Sequence, residues 1–162
     1  MVRRANAVFD TSFWIHSFGV GLLPFVLGRY ALRYPPAVAL ELPERYPSGR
    51  EFWRMARAGE LEEAIPERDQ VRRFGPGERE AMNVALEHPN WELLVDDWRP
   101  LEWAANMRLR VLSTPVLIVA LVHDKEIGVP RALEFLAELG RLGTMMPGLI
   151  ELARSQLATD EL

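Results

Sequence analysis

The 162-residue chain has no cysteine. That absence excludes disulfide bridges, thiolate metal ligands and thiol nucleophiles, and it fits a reducing, cytoplasmic setting. Lysine is almost missing as well: Lys125 stands alone beside eighteen arginines. Long apolar runs are lacking. The longest, residues 115–122, is too short to cross a bilayer, and no long apolar run follows the two arginines near the start, so neither a membrane partner nor a secretory signal is expected. A surplus of positive charge is also lacking. The formal net charge is −4, the wrong sign for a chain that holds nucleic acid by bulk electrostatics. No P-loop and no complete Gly-x-Gly-x-x-Gly fingerprint occurs.

What is present reads as a globular α/β chain. Apolar residues make up 49%, enough for a core, and the length suits one domain spanning residues 1–162. Residues 5–9 form a short buried strand that ends in Asp10-Thr11-Ser12. Residues 13–27 give two short helices split near Gly19-Val20-Gly21, and residues 31–34 a second strand. Pro35-Pro36 then opens a helix that carries Val38, Glu41 and Leu42. Residues 43–75 read as a charged surface excursion with one helix at about 51–58, which turns Phe52, Met55 and Ala56 inward. After Gly75-Pro76-Gly77 come a helix at 78–87, a strand at 91–95 ending in Asp96-Asp97, a helix at 101–107 and a strand at 111–112. Thr114 is expected as the cap of a helix running to about 125, with Pro115 at its first position. Helices at 130–139, stopped by Gly140, and at 147–157 complete the chain. Strands alternating with helices predict a central parallel sheet flanked by helices.

Four carboxylates stand out by position. Asp10 and Asp97 each follow a strand, and ligands of parallel α/β sheets bind beyond the carboxyl ends of strands. With about 100° per residue, Glu78 lies in the middle of the stripe formed by Ala81, Met82, Ala85 and Leu86, whereas Glu80 points the opposite way, to solvent. The same reasoning sets Glu41 beside Val38 and Leu42, with Leu40 facing away. Each acid alone has an ordinary explanation as a cap or turn residue. Together, inward carboxylates without a histidine or lysine among them are costly unless a cation joins them, and oxygen donors suit Mg²⁺ or Mn²⁺.

These segments resemble a known family. Val8-Phe9-Asp10-Thr11-Ser12 looks like the opening strand of PIN domains. Residues 35–42, ending in Glu41-Leu42, resemble their second acidic segment, Gly77-Glu78-Arg79-Glu80-Ala81 the third, in a subfamily with Glu where toxin-type PIN domains have Asp, and Leu93-Leu94-Val95-Asp96-Asp97 the fourth. The likeness implies a three-layer PIN-like domain and a metal-dependent ribonuclease. Asp10, Glu41, Glu78 and Asp97 would then be catalytic and would hold the metal. Thr11, Ser12 and Asp96 would support them, with Asp96 the alternative to Asp97 as the fourth ligand. The implied partners are an RNA substrate and an antitoxin protein. A homodimer is expected as well, and Phe13, Trp14, Phe18 and Phe25 serve either the core or that dimer's face. In the subfamily a glycine commonly precedes the threonine of the late helix; here it is Ser113.

Two rivals stand beside this reading. A phosphotransferase with Asp10 as nucleophile would want a second Asp two residues on, where Ser12 stands. A non-catalytic PIN-like module would bind RNA or protein without cutting. The three histidines, His16, His88 and His123, are scattered and read as core or surface residues.

Overall fold

The computed structural model describes residues 3–160; positions 1, 2, 161 and 162 of the expected domain lie outside the described residues. Fourteen elements follow one another: β1 (Ala5–Phe9), α1 (Thr11–Val20), α2 (Leu23–Arg29), β2 (Tyr30–Tyr34), α3 (Pro36–Leu40), α4 (Pro47–Arg57), β3 (Glu62–Glu63), α5 (Pro76–Glu87), β4 (Glu92–Leu94), α6 (Trp98–Asn106), β5 (Val111–Leu112), α7 (Thr114–His123), α8 (Val129–Leu142) and α9 (Pro147–Asp160). The strands form one sheet in the order β3-β2-β1-β4-β5. Every pairing is parallel, with Ala7 opposite Leu32 and Phe9 opposite Leu94.

Successive residues of a strand face opposite sides, and here they feed two cores. Ala7, Phe9, Leu32 and Leu94 pack with residues of α1, α2, α4, α7, α8 and α9. Val8, Leu93 and Val95 pack with Ala81, Met82 and Ala85 of α5 and Ala104 of α6. The sheet is thus the middle layer of three. On the first side Phe9 stacks on Trp14 at 5.3 Å, and Phe52 meets Trp14 edge-on at 5.7 Å.

Several elements depart from the sequence expectations. Helix α3 stops at Leu40, and Glu41 is its C-cap rather than a helical residue. Leu42 precedes Pro43, which biases it away from helical backbone. The charged segment 43–75 carries the expected helix, α4, whose Phe52 and Met55 are fully buried as expected, and it adds a strand the sequence did not mark, β3, which extends the sheet beyond β2. Helix α7 begins at Thr114, with Ser113 as the N-cap at φ −99°, a backbone any residue adopts. Helix α8 continues through Gly140 and ends at Gly143, whose φ of 74° is the left-handed cap conformation. Phe13 and Trp14 are buried, and Phe18 and Phe25 pack against the same core. Phe18 and Phe25 are only partly buried.

Candidate metal centre

The strand order changes direction at β1, which lies between β2 and β4. At such a switch point the connections leave a crevice beyond the carboxyl ends of the strands. Asp10 enters it straight from β1. Its backbone N–H donates to the Leu94 carbonyl at 3.0 Å, which extends the β1–β4 pairing by one residue. Its side chain is fully buried and caps α1: Oδ1 accepts from the Phe13 N–H at 2.9 Å and Oδ2 from the Ser12 hydroxyl at 3.0 Å. Asp10 is therefore held from three sides.

Glu78 comes from the first turn of α5 and is half-buried. Asp97 follows β4 and is the N-cap residue of α6, yet its carboxylate makes no capping hydrogen bond. One oxygen from each of Asp10, Glu78 and Asp97 lies within 4.8 Å of the other two. Glu41 approaches the same space from the end of α3. It is exposed and stands outside that set of three, but it lines the same pocket of about 200 Å³ with Asp10, Thr11, Ser12, Glu78 and Asp97. A Cβ built on Gly77 would lie 2.2 Å from Glu41 Oε1 and 3.0 Å from Thr11 Oγ1. Glycine at 77 thus leaves room for the Glu41 carboxylate against the start of α5.

The electrostatics follow from this crowding. Burial, first, and then the neighbouring Asp96 carboxylate push the Asp10 pKa well above the usual value; the Phe13 N–H and the Ser12 hydroxyl pull it down only in part. Burial and the adjoining Asp97 push Glu78 up to about 8. Among the described residues no basic side chain forms an ion pair with Asp10, Glu41, Glu78 or Asp97. The Thr11 hydroxyl, buried in the wall of the pocket, has no hydrogen-bond partner among the described residues. An all-oxygen donor set without an internal counter-cation fits a hard divalent ion.

One residue, Glu80, behaves differently from the sequence expectation. Glu80 is not turned to solvent; its carboxylate accepts from the Ala37 N–H at 3.2 Å, at the start of α3. Asp96 turns away from the pocket into a buried network. It accepts from the Thr114 N–H and hydroxyl, both at 2.6 Å, and meets His16 Nδ1 at 2.6 Å. His16 in turn reaches the Thr144 hydroxyl through Nε2 at 2.8 Å. His16, Thr114 and Thr144 thus hold the residue next to Asp97, and nothing in the sequence pairs positions separated by up to 128 residues.

A three-layer α/β domain with an acidic pocket at the carboxyl edge of its sheet is thereby defined. A family model described as PIN domain matches residues 6–150, and the chain belongs to the PIN-domain family. No curated protein matches the chain. PIN domains are generally nucleases and typically use divalent metals, which agrees with an acidic group able to hold a cation. No helix among the described residues is long and apolar enough to cross a membrane.

Proposed function

We propose that this protein is a Mg²⁺- or Mn²⁺-dependent endoribonuclease that cuts RNA phosphodiester bonds at the acidic pocket, as the toxin of a toxin–antitoxin pair. The observation that carries the reading is the meeting of Asp10, Glu78 and Asp97 within 4.8 Å with no basic side chain among the described residues to neutralise them. A bound divalent ion lowers the pKa of its water and offsets charge on the transferring phosphate. Asp10, Glu78 and Asp97 hold it, and Glu41 closes the pocket from the rim. Ser12 fixes the Asp10 carboxylate through its hydroxyl, while the Thr11 hydroxyl is free to orient a ligand. Asp96 acts indirectly: pinned by Thr114 and His16, it fixes the backbone from which Asp97 departs. RNA, the antitoxin and a homodimer belong to this reading through the likeness to toxin-type PIN domains, and the cytoplasmic setting through the cysteine-free chain.

Melting of the metal-stripped protein with and without millimolar Mn²⁺, together with cleavage of a labelled single-stranded RNA with and without EDTA, tests it. Mn²⁺ should raise the melting temperature, and EDTA should abolish cleavage. Asp10→Asn keeps an oxygen for the Phe13 N–H, so it should fold and lose both effects. An unchanged melting temperature, or full cleavage by Asp10→Asn, would reject the proposal. The net charge of −4 favours as second reading a PIN-like module that binds protein or RNA without cutting. Binding without metal-dependent cleavage identifies it.

A further inference from the structure

Beside the acidic pocket lies a second cleft of different character. Its volume is about 310 Å³, and Arg73, Phe74, Arg99, Glu102, Trp103 and Asn106 line it. The two clefts adjoin through the chain. Phe74 directly precedes Gly75, which lines the acidic pocket, and Arg99 comes two residues after Asp97. With about 3.8 Å between consecutive Cα atoms, each arginine starts within two peptide units of the pocket's wall.

Local structure is arranged against its own preferences at this place. Phe74 has φ 74°, a left-handed backbone that a bulky residue adopts only under strain. Its ring is braced by the Trp103 edge at 6.4 Å and by the Arg73 guanidinium at 5.2 Å. Arg99 sits in the first turn of α6, where the helix dipole disfavours a cation, two residues after the N-cap Asp97. Neither Arg73 nor Arg99 has an ion-pair partner among the described residues. Both are exposed. Arg54, Arg57, Arg131, Arg141 and Arg154, on α4, α8 and α9, by contrast pair with nearby glutamates, whereas Arg50 of α4 has no ion-pair partner among the described residues.

We propose that this cleft binds the single-stranded RNA segment flanking the cut, with Arg73 and Arg99 contacting its phosphates and Phe74 and Trp103 offering aromatic surface to a base. The inference rests on the nuclease reading. A polyanion approaching a pocket lined by four acids and no base meets repulsion there, so attraction has to come from the side. Exposed guanidinium groups next to aromatic rings are the chemistry that single strands use, through charge on the backbone and stacking on the bases. Glu102 is the one acid lining the cleft and works against the two arginines.

Fluorescence anisotropy with a labelled single-stranded RNA, in EDTA and at several salt concentrations, measures binding without turnover. R73A/R99A should bind at least about tenfold more weakly, and its log K against log salt slope should be shallower by about 0.7 per arginine lost. R73K/R99K should keep the wild-type slope, and E102Q should bind more tightly, a gain that misfolding does not produce. Equal affinity and slope in wild type and R73A/R99A, or no RNA binding by the wild type, overturns the proposal and leaves the cleft to a protein or to no ligand. The two readings fail separately. Arginine-dependent binding without Mn²⁺-dependent cleavage sinks only the nuclease, whereas normal cleavage and binding by R73A/R99A sinks only the cleft.

Discussion

At the scale of single residues, the pocket is a place where acids are held together against their repulsion. Asp10 and Glu78 keep protons to higher pH in the folded chain than in the unfolded one, since both pKa values are raised. The sign of the stability effect follows. Between the ordinary carboxylate range near 4 and about 8, the folded state binds more protons than the unfolded state, so stability falls as pH rises. Melting of the protein in EDTA should therefore move to lower temperature from pH 5 to pH 8, and saturating Mn²⁺ should flatten the trend. A melting temperature that climbs across this window would contradict the raised values. The exposed pairs Glu44–Arg57 and Glu51–Arg54 lower their glutamate pKa values, so their effect falls below this window.

Gly77 gives a second residue-scale expectation. The added methyl of Gly77→Ala would displace the Glu41 carboxylate and press on Thr11, while alanine improves helix propensity by up to about 1 kcal/mol. Since Glu41 is exposed and flexible, the metal-free melting temperature should stay within a few degrees of wild type. The Mn²⁺ stabilisation should shrink. An undiminished Mn²⁺ shift in Gly77→Ala would show that Glu41 has no part in holding the ion.

At the scale of elements, α4 decides where Glu41 stands. Trp53 Nε1 donates to the Leu42 carbonyl at 2.8 Å, which ties this helix to the segment after α3, and Trp14 Nε1 donates to the Ser48 carbonyl at 2.9 Å, which ties it to α1. Gly49 makes the close approach possible, as a Cβ there would lie 2.1 Å from the Pro43 carbonyl oxygen and 2.8 Å from that of Leu42. Those atoms are backbone and cannot swing aside. Gly49→Ala should cost about 1–3 kcal/mol or more by overpacking, read as a lower urea midpoint at unchanged slope. Wild-type stability in this variant would mean that α4 can slide without loss.

The helix termini explain other departures. An amphipathic wheel places Glu80 on the polar face of α5, but a second helix starts there and its Ala37 N–H needs an acceptor. Asp96 is drawn the same way by Thr114 at the start of α7. Both acids serve backbone donors supplied by another element, which no count along a single helix can register.

For the molecule as a whole, residues 43–75 are the instructive stretch. Charge and Pro/Gly punctuation mark them as surface, while the stripe of their one expected helix turns Phe52 and Met55 inward, and Phe52 does touch Phe9, Trp14 and Tyr34. Replacing residues 43–73 by a Gly/Ser linker should therefore not give a folded PIN domain. Loss of Phe52 alone, at about 3–5 kcal/mol for a buried phenylalanine, takes much of the stability of a typical domain. Near-UV circular dichroism and a denaturant titration would show it; a cooperative unfolding transition in the deleted protein would return this segment to the status of a dispensable insertion.

The sequence by itself determined the order of helices and strands apart from β3, the parallel α/β class, and the placement of Asp10 and Asp97 beyond strands β1 and β4, because alternation, helical periodicity and Pro or Gly punctuation are local signals. It also marked Glu78 as inward, since that follows from one helix's own stripe. Only the tertiary structure decided that Glu41 stands past the end of α3 at the rim, that Glu80 caps a foreign helix, that His16 and Thr114 take up Asp96, and that two exposed glutamates form β3 at the sheet edge. Those outcomes depend on partners far away in the chain, whose hydrogen-bonding demands and packing distances exist only once the layers have come together.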